Sequence, residues 1–200
     1  MFELKFDVRE FERRTKELEG TLDQMPFALA LAMTEAAERT KQALVDEWPQ
    51  HITQRNPGFI KRALQVKPAT KHDLRVEIYD SLGRASLELH ADGGTKQAKG
   101  KFAIPVENNV QRGARGVSRS KQPRSLANSF VADLRGKGAA LWVRYGRKGR
   151  RLRLMYALRA VVPVRKDVPF RETFAATMMR ELRQSFPAAM KRAMSTRRPR

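Results

Sequence analysis

The opening segment MFELKFD sets Phe2, Leu4 and Phe6 at alternate positions, which predicts a short half-buried strand. Asp7 stands where a helix N-cap would, and Glu10 follows three residues on. With Phe11, Leu18 and Leu22 continuing a helical spacing, a helix is predicted from Val8 to about Glu19. A second helix is predicted over about 26–48. Pro26 suits its first turn, and Leu29, Met33, Ala36, Thr40, Leu44 and Trp48 recur every three or four residues until Pro49. Its small face, Ala28, Ala32, Ala36 and Ala37, admits close approach of another element, in the same protomer or across an interface.

After a Pro/Gly/Asn loop over 49–58, the runs ALQVKPA and LRVEIYD read as an antiparallel pair. Leu74, Val76 and Ile78 fall on one face and Arg75 and Glu77 on the other. A short segment, ASLELHAD, leads to the turn Gly93-Gly94. The sheet continues in FAIPV, where Pro105 marks an edge or a strand end. Residues 108–127 offer almost nothing to bury and read as a mobile basic loop or arm. SFVADL, ALWVRYG and LRLMYALRAVVPV predict three more strands. Phe170, Phe174, Met178, Leu182 and Phe186 then step by four, giving a last helix over about 169–195 that Pro187 should kink or split. The pattern as a whole predicts an α+β fold: a mixed or antiparallel sheet packed by the helices at 26–48 and 169–195, with a basic arm. One domain is expected over 1–196, followed by a frayed basic tail at 196–200.

Composition agrees with a folded chain, since 41% of the 200 residues are hydrophobic and 31% charged. No apolar run reaches the roughly 18 residues of a membrane span, and the start lacks the order of a signal peptide, so a cytosolic origin without membrane contact is expected. The absence of cysteine removes disulfides, thiolate zinc sites and cysteine nucleophiles. Charge adds more. The net charge of +20 is spread as −4 over residues 1–50, +4 over 51–107 and +20 over 108–200. Such a field attracts polyanions, whether DNA, RNA or an acidic protein surface.

Three clusters carry it. Arg144, Arg147, Lys148, Arg150, Arg151 and Arg153 flank the predicted strand turn in YGRKGRR. The loop adds Arg112, Arg115, Arg119, Lys121 and Arg124, and the C-terminus adds Lys191, Arg192, Arg197, Arg198 and Arg200. A solvated, solubilising face is the plain alternative for any one cluster, but three with so few carboxylates between them favour an anionic partner. Nothing resembles a helix-turn-helix, a zinc finger or an aromatic stacking platform, so the contact expected is with phosphates and without sequence reading. The turn is favoured over the other two clusters because the fold holds it in place.

Other chemistry finds little support. His90 and Asp92 flank Gly93-Gly94, but His51 and His72 have no ligand-spaced partner, and a polar turn explains the pair. Asp73, Glu77 and Asp80 lack the carboxylate-plus-lysine pattern of a nuclease, and Glu77 falls on the solvent period of its strand. GRKGRR and GGTKQAKGK lack the Lys followed by Ser or Thr of a phosphate loop. Ser86, Ser118 and Ser120 have no evident His and Asp partners. No catalytic residue, cofactor-binding residue or metal ligand is therefore assigned, no cofactor is expected, and the chain reads as a binding or assembly protein rather than an enzyme.

FIKRALQVKPATKHDLRVEIYD, LELHADGGTKQAKGKFAIPV and LRLMYALRAVVPVRKDVPF, taken in that order, resemble the tailed-bacteriophage minor tail protein Z family of tail-completion proteins. The likeness spans most of residues 1–190. It includes Pro26-Phe27 at a helix start, a loop near a Gly-Gly pair, Ile104-Pro105 at a strand end, and Tyr156 and Leu158 before paired valines. The resemblance implies a structural virion protein, made in the host cytoplasm and placed at the head-proximal end of the tail. There it would be repeated as a homo-oligomer around the tail axis beside tail terminator, tail tube or neck proteins, with non-specific contact to genomic DNA. A nucleic-acid-binding protein acting outside a virion is the alternative, and a metal-dependent nuclease a weaker third.

Overall fold

The computed structural model describes residues 2–7, 24–83, 86–134 and 136–196. The helix expected over 8–19 and the basic residues 197–200 lie outside them. In chain order the elements are β1 (Glu3–Asp7), α1 (Met25–His51), α2 (Phe59–Ala63), β2 (Leu64–Lys67), β3 (Arg75–Asp80), α3 (Leu87–Asp92) and β4 (Gly94–Pro105). There follow β5 (Arg112–Gly113), β6 (Gly116–Val117), β7 (Ser129–Ala132), β8 (Ala140–Tyr145), β9 (Arg151–Val164) and α4 (Phe170–Ser195). The fold is α+β with antiparallel sheets, as the hydrophobic pattern indicates. Among the described residues, no helix is long and apolar enough to cross a membrane.

The chain groups into two compact units, one of residues 1–92 with 166–200 and one of residues 93–165. In the first, β1 and β2 pair on either side of β3 in a three-stranded sheet. Alternation does what it predicts: Val76 and Ile78 are fully buried while Arg75 and Glu77 are half-buried on the other face. The two long helices pack on each other. Ala28, Ala32, Ala36 and Ala37 have no solvent exposure, so the small face is used for close packing within the chain. Thr40, buried on the same helix, donates to the Ala36 carbonyl at 2.7 Å, and Arg39 reaches Glu181 of α4 at 3.4 Å. Trp48 stacks on Phe170 with ring centroids 5.8 Å apart, and Phe2 meets the same ring at 5.2 Å. Such pairs add about 1 kcal/mol each beyond their burial.

Two expectations about proline are corrected. α1 does not stop before Pro49 but runs to His51, and α4 runs unbroken through Pro187. An interior proline costs roughly 3 kcal/mol by losing one backbone bond and crowding the preceding turn. At Pro49 the turn is retained because Trp48 is anchored in the core and its carbonyl accepts from the Ile52 amide at 3.0 Å. At Pro187 the helix is held by burial on both sides, at Ser185 and at Ala189 and Ala193.

The second unit is a four-stranded antiparallel sheet in the order β4-β9-β8-β7, with the β5-β6 ladder beside it. The three strands expected after residue 128 are present, and the strand expected at FAIPV begins earlier, at Gly94. Within the short segment ASLELHAD, LELHAD forms the helix α3. Two irregularities bend the sheet. Residues 98–101 bulge from β4 between Gln97 and Phe102, and Met155 is the extra residue on β9 where the register with β8 shifts. The core here is small: Val110, Leu141, Met155 and Tyr156 are buried, with Ala103, Val117, Leu126 and Val143 partly so.

The segment 108–127, expected as a basic loop or arm, carries local structure and contacts with the sheet. It forms the β5-β6 ladder and two short 3-10 turns, at Arg119–Lys121 and Pro123–Ser125. Val110 is fully buried, Asn109 Nδ2 donates to the Leu154 carbonyl at 2.8 Å, and the Tyr156 hydroxyl donates to the Lys121 carbonyl at 2.6 Å. The larger aliphatic residues in this stretch, Val110, Val117 and Leu126, all go to one small core. The segment is a strap laid on one face of the sheet.

Candidate anion interface

The two units divide the charge unequally. Residues 93–165 hold 18 of the 41 Lys and Arg, against two acidic residues, Glu107 and Asp133. The other 127 residues hold 23 basic against 19 acidic, so most of the surplus belongs to the second unit. All eleven candidate cations named above for the turn and the loop lie in that unit and are exposed. Among the described residues none of the eleven forms an ion pair, whereas the first unit matches charges repeatedly, as in Arg39–Glu35 at 2.6 Å and Lys166–Glu172 at 2.6 Å.

The YGRKGRR turn is the tip of the β8–β9 hairpin, as expected. A 3-10 turn over Arg147–Gly149 closes it, with the Gly149 amide donating to the Gly146 carbonyl at 3.1 Å. Gly146, Lys148 and Gly149 all have positive φ, at 79°, 59° and 64°, so two of the three positions take the residue that bears this conformation without strain. Register fixes where the arginines point. Arg144 pairs with Leu152 on one face of the ribbon, while Arg151 pairs with Tyr145 and Arg153 with Val143 on the opposite face.

Ring contacts agree with that register. The Arg144 guanidinium lies 4.8 Å from the Phe130 ring centre, and that of Arg153 lies 4.4 Å from the Tyr145 ring centre. A cation over a ring at an exposed site gains about 0.5–1 kcal/mol, and it holds a long side chain that would otherwise lose entropy on binding. Beside Arg144 is an open depression of about 820 Å³ lined by Asn128, Ser129, Phe130, Arg144, Tyr145, Gly146 and Gly149. Two like charges some 7 Å apart repel by about 0.6 kcal/mol even in water. Six within ten residues therefore favour a polyanion that neutralises them together.

The strap brings its own cations to the face that carries Arg151 and Arg153. Val117 packs on the core cluster of that face, Lys121 is held through its carbonyl by Tyr156, and the Arg112 charge acts on the Tyr156 phenol. Burial raises the pKa of that phenol above its usual value, against the opposing pull of Arg112. Arg115, Arg119 and Arg124 are exposed along the same strap. Phe130 and Tyr145, which fix Arg144 and Arg153, were not singled out by sequence. Tyr145 adjoins the basic run, but only strand register reveals which arginine meets which ring.

The residues weighed for other chemistry are occupied elsewhere. His90 Nδ1 lies 2.8 Å from Asp167, its ring meets Trp48 edge-on, and its carbonyl accepts from the Asp167 and Val168 amides. Asp92 holds Arg171 through two bonds of 2.7 and 2.6 Å, and the hydrogen bond from Arg171 keeps its carboxyl below the usual range. Glu77 lies 3.3 Å from Lys67 and 3.9 Å from Lys5. Asp80 caps the amides of Leu82 and Gly83, and Asp73 closes a turn with Thr70. Among the described residues no group of three or more His, Asp or Glu is placed to hold a metal ion. Comparison with known proteins returns no matching family model, no matching curated protein and no matching solved structure.

Proposed function

We propose that this chain is a structural assembly protein whose second unit meets the phosphates of a nucleic acid. Within the resemblance noted above, it is a tail-completion protein at the head-proximal end of a bacteriophage tail. The observation that carries the nucleic-acid contact is the segregation of charge: eleven exposed cations without ion-pair partners among the described residues, on a unit with only two acidic side chains. A solvated face needs no such segregation, because interspersed charges of both signs also keep a protein soluble. The assignment to a tail is carried by the sequence likeness alone. It gives the first unit, with its nearly balanced charge, the role of contacting neighbouring copies and neck or tail proteins. The reading assigns the chain no reaction.

The nucleic-acid contact is tested by measuring the affinity of the full chain for DNA across a salt series. The log of the binding constant should fall with log salt by about 0.9 for each phosphate engaged, giving a slope near −5 if the six tip cations all contribute. A flat response would remove the contact. The virion placement is tested by a particle reconstruction, in which density for this chain at the neck supports it. A particle lacking the chain would leave a nucleic-acid-binding protein that works outside the virion.

A further inference from the structure

The end of the β8–β9 hairpin has a shape as well as a charge. The β7 ladder along β8 stops at the Ser129–Val143 pair, with one further bond from the Arg144 amide to the Asn128 carbonyl. On the other side, the β4 ladder along β9 stops at the Pro105–Tyr156 pair, with one further bond from the Val106 amide to the Met155 carbonyl. Beyond these points only two strands remain. They extend through two residue pairs, Arg144–Leu152 and Tyr145–Arg151, and then the turn. At about 3.4 Å per residue, with the turn added, the free ribbon stands roughly 10 Å tall, and its strands are about 5 Å apart.

Cations occupy every side of that ribbon. Arg144 is on one face, Arg151 is on the other with Arg153 at its foot opposite Val143, and Arg147, Lys148 and Arg150 surround the tip. A surface meant to lie along a single backbone needs charge on one face only. A ribbon charged on both faces suits a cleft whose two walls are both anionic. The major groove of B-form DNA is such a cleft, about 12 Å wide and 8.5 Å deep, and it admits a two-stranded ribbon. The minor groove, near 6 Å, is too narrow, and the major groove of an A-form RNA duplex is deep and closed to side chains. The rings within reach, Phe130 and Tyr145, are already covered by Arg144 and Arg153, so they are not open platforms for unpaired bases.

We infer that the β8–β9 ribbon enters the major groove of B-form duplex DNA, Arg144 meeting the phosphates of one wall and Arg151 and Arg153 those of the other. This rests on the nucleic-acid reading of the basic surface and narrows it to duplex DNA. Because the contacts are to phosphates, sequence preference is absent.

The test uses the full chain with a DNA duplex, a single strand of equal phosphate count and an RNA duplex of equal length, each across a salt series. One lost phosphate contact is worth roughly eightfold at 0.1 M salt relative to 1 M, so the DNA duplex should be favoured by about tenfold or more over both alternatives. Arg144→Gln should reduce the duplex salt slope by about 0.9 and Arg151→Gln/Arg153→Gln by about 1.8, and either should bring duplex and single strand close to parity. Circular dichroism confirms that these surface variants fold, and the Lys versions, which keep the charge, should retain the duplex preference. Equal affinity for single strand and duplex, or sensitivity to one face only, overturns groove entry while leaving a phosphate contact standing. Salt-independent or absent binding to all three probes overturns the nucleic-acid reading itself.

Discussion

Tyr156→Phe tests whether the basic strap is built into the second unit. The substitution removes one hydroxyl, which donates to the Lys121 carbonyl at 2.6 Å, and leaves the ring in its place among Val110, Leu141 and Met155. The Lys121 side of the bond is exposed, so its carbonyl is rehydrated and no buried acceptor is stranded. The loss is then the net worth of one neutral hydrogen bond, about 1 kcal/mol. Amide exchange measured by mass spectrometry reads the strap directly, because the Lys121 amide donates to Ser118 and the Gln122 amide to Arg119. A loss of 1 kcal/mol in a local opening reaction speeds exchange there about fivefold, while amides of α4 in the other unit should be unchanged. Ionising the phenol removes the same donor. Since burial raises its pKa, the stabilisation is complete below the ordinary tyrosine range and is lost as pH rises through the higher folded value. Two results would refute the reasoning: equal protection of these amides in both proteins, or no protection in the parent.

Three further outcomes follow from particular contacts. Asp92 is held below its usual value of 3.8 by the hydrogen bond from Arg171, so it contributes stability above that value and loses it as pH falls through the lower folded value. Arg171→Gln should flatten that acid limb in urea midpoints taken from pH 5 to pH 2, and an unchanged limb counts against it. Ala36→Leu forces three extra carbons into a helix contact with no solvent exposure and should lower stability by about 1–3 kcal/mol or more, read as a drop in urea midpoint with unchanged slope. Lys148→Gly replaces a side chain held at φ 59° and should stabilise the hairpin by up to about 1 kcal/mol, read as a higher thermal midpoint, while the DNA salt slope falls by about 0.9.

Periodicity made much of this fold legible. The alternation at Leu74, Val76 and Ile78 and the fourfold steps from Phe170 onward answer to local geometry: the first three are buried at β3, and Phe170, Phe174 and Met178 are buried on α4 with Leu182 and Phe186 partly so. Proline was overread at 49 and 187 because its local cost is fixed, whereas the packing that outweighs it comes from residues distant in sequence, such as Phe170 against Trp48. The contacts of the strap were not legible for a related reason. Its composition is polar, but three apolar residues and one carbonyl suffice to hold it when the partners are Leu141, Met155 and Tyr156. At the candidate interface the cations and the hairpin tip were visible as a charge run between two strand patterns. Their division between opposite faces was not, because it depends on the pairing that the turn sets, Arg144 opposite Leu152 and Tyr145 opposite Arg151.

That division bears on how the second unit tolerates its charge. Among the described residues its core cluster has four buried members, against 22 in the first unit, so it has little apolar burial with which to oppose the self-repulsion of 18 cations. Repulsion of this kind does the least harm where the fewest native contacts depend on it. The tip meets that condition, since beyond Val143 and Met155 the sheet has narrowed to two strands, and splaying side chains there disturbs no packed layer. A polyanion that binds the folded unit more tightly than the unfolded chain stabilises it by mass action.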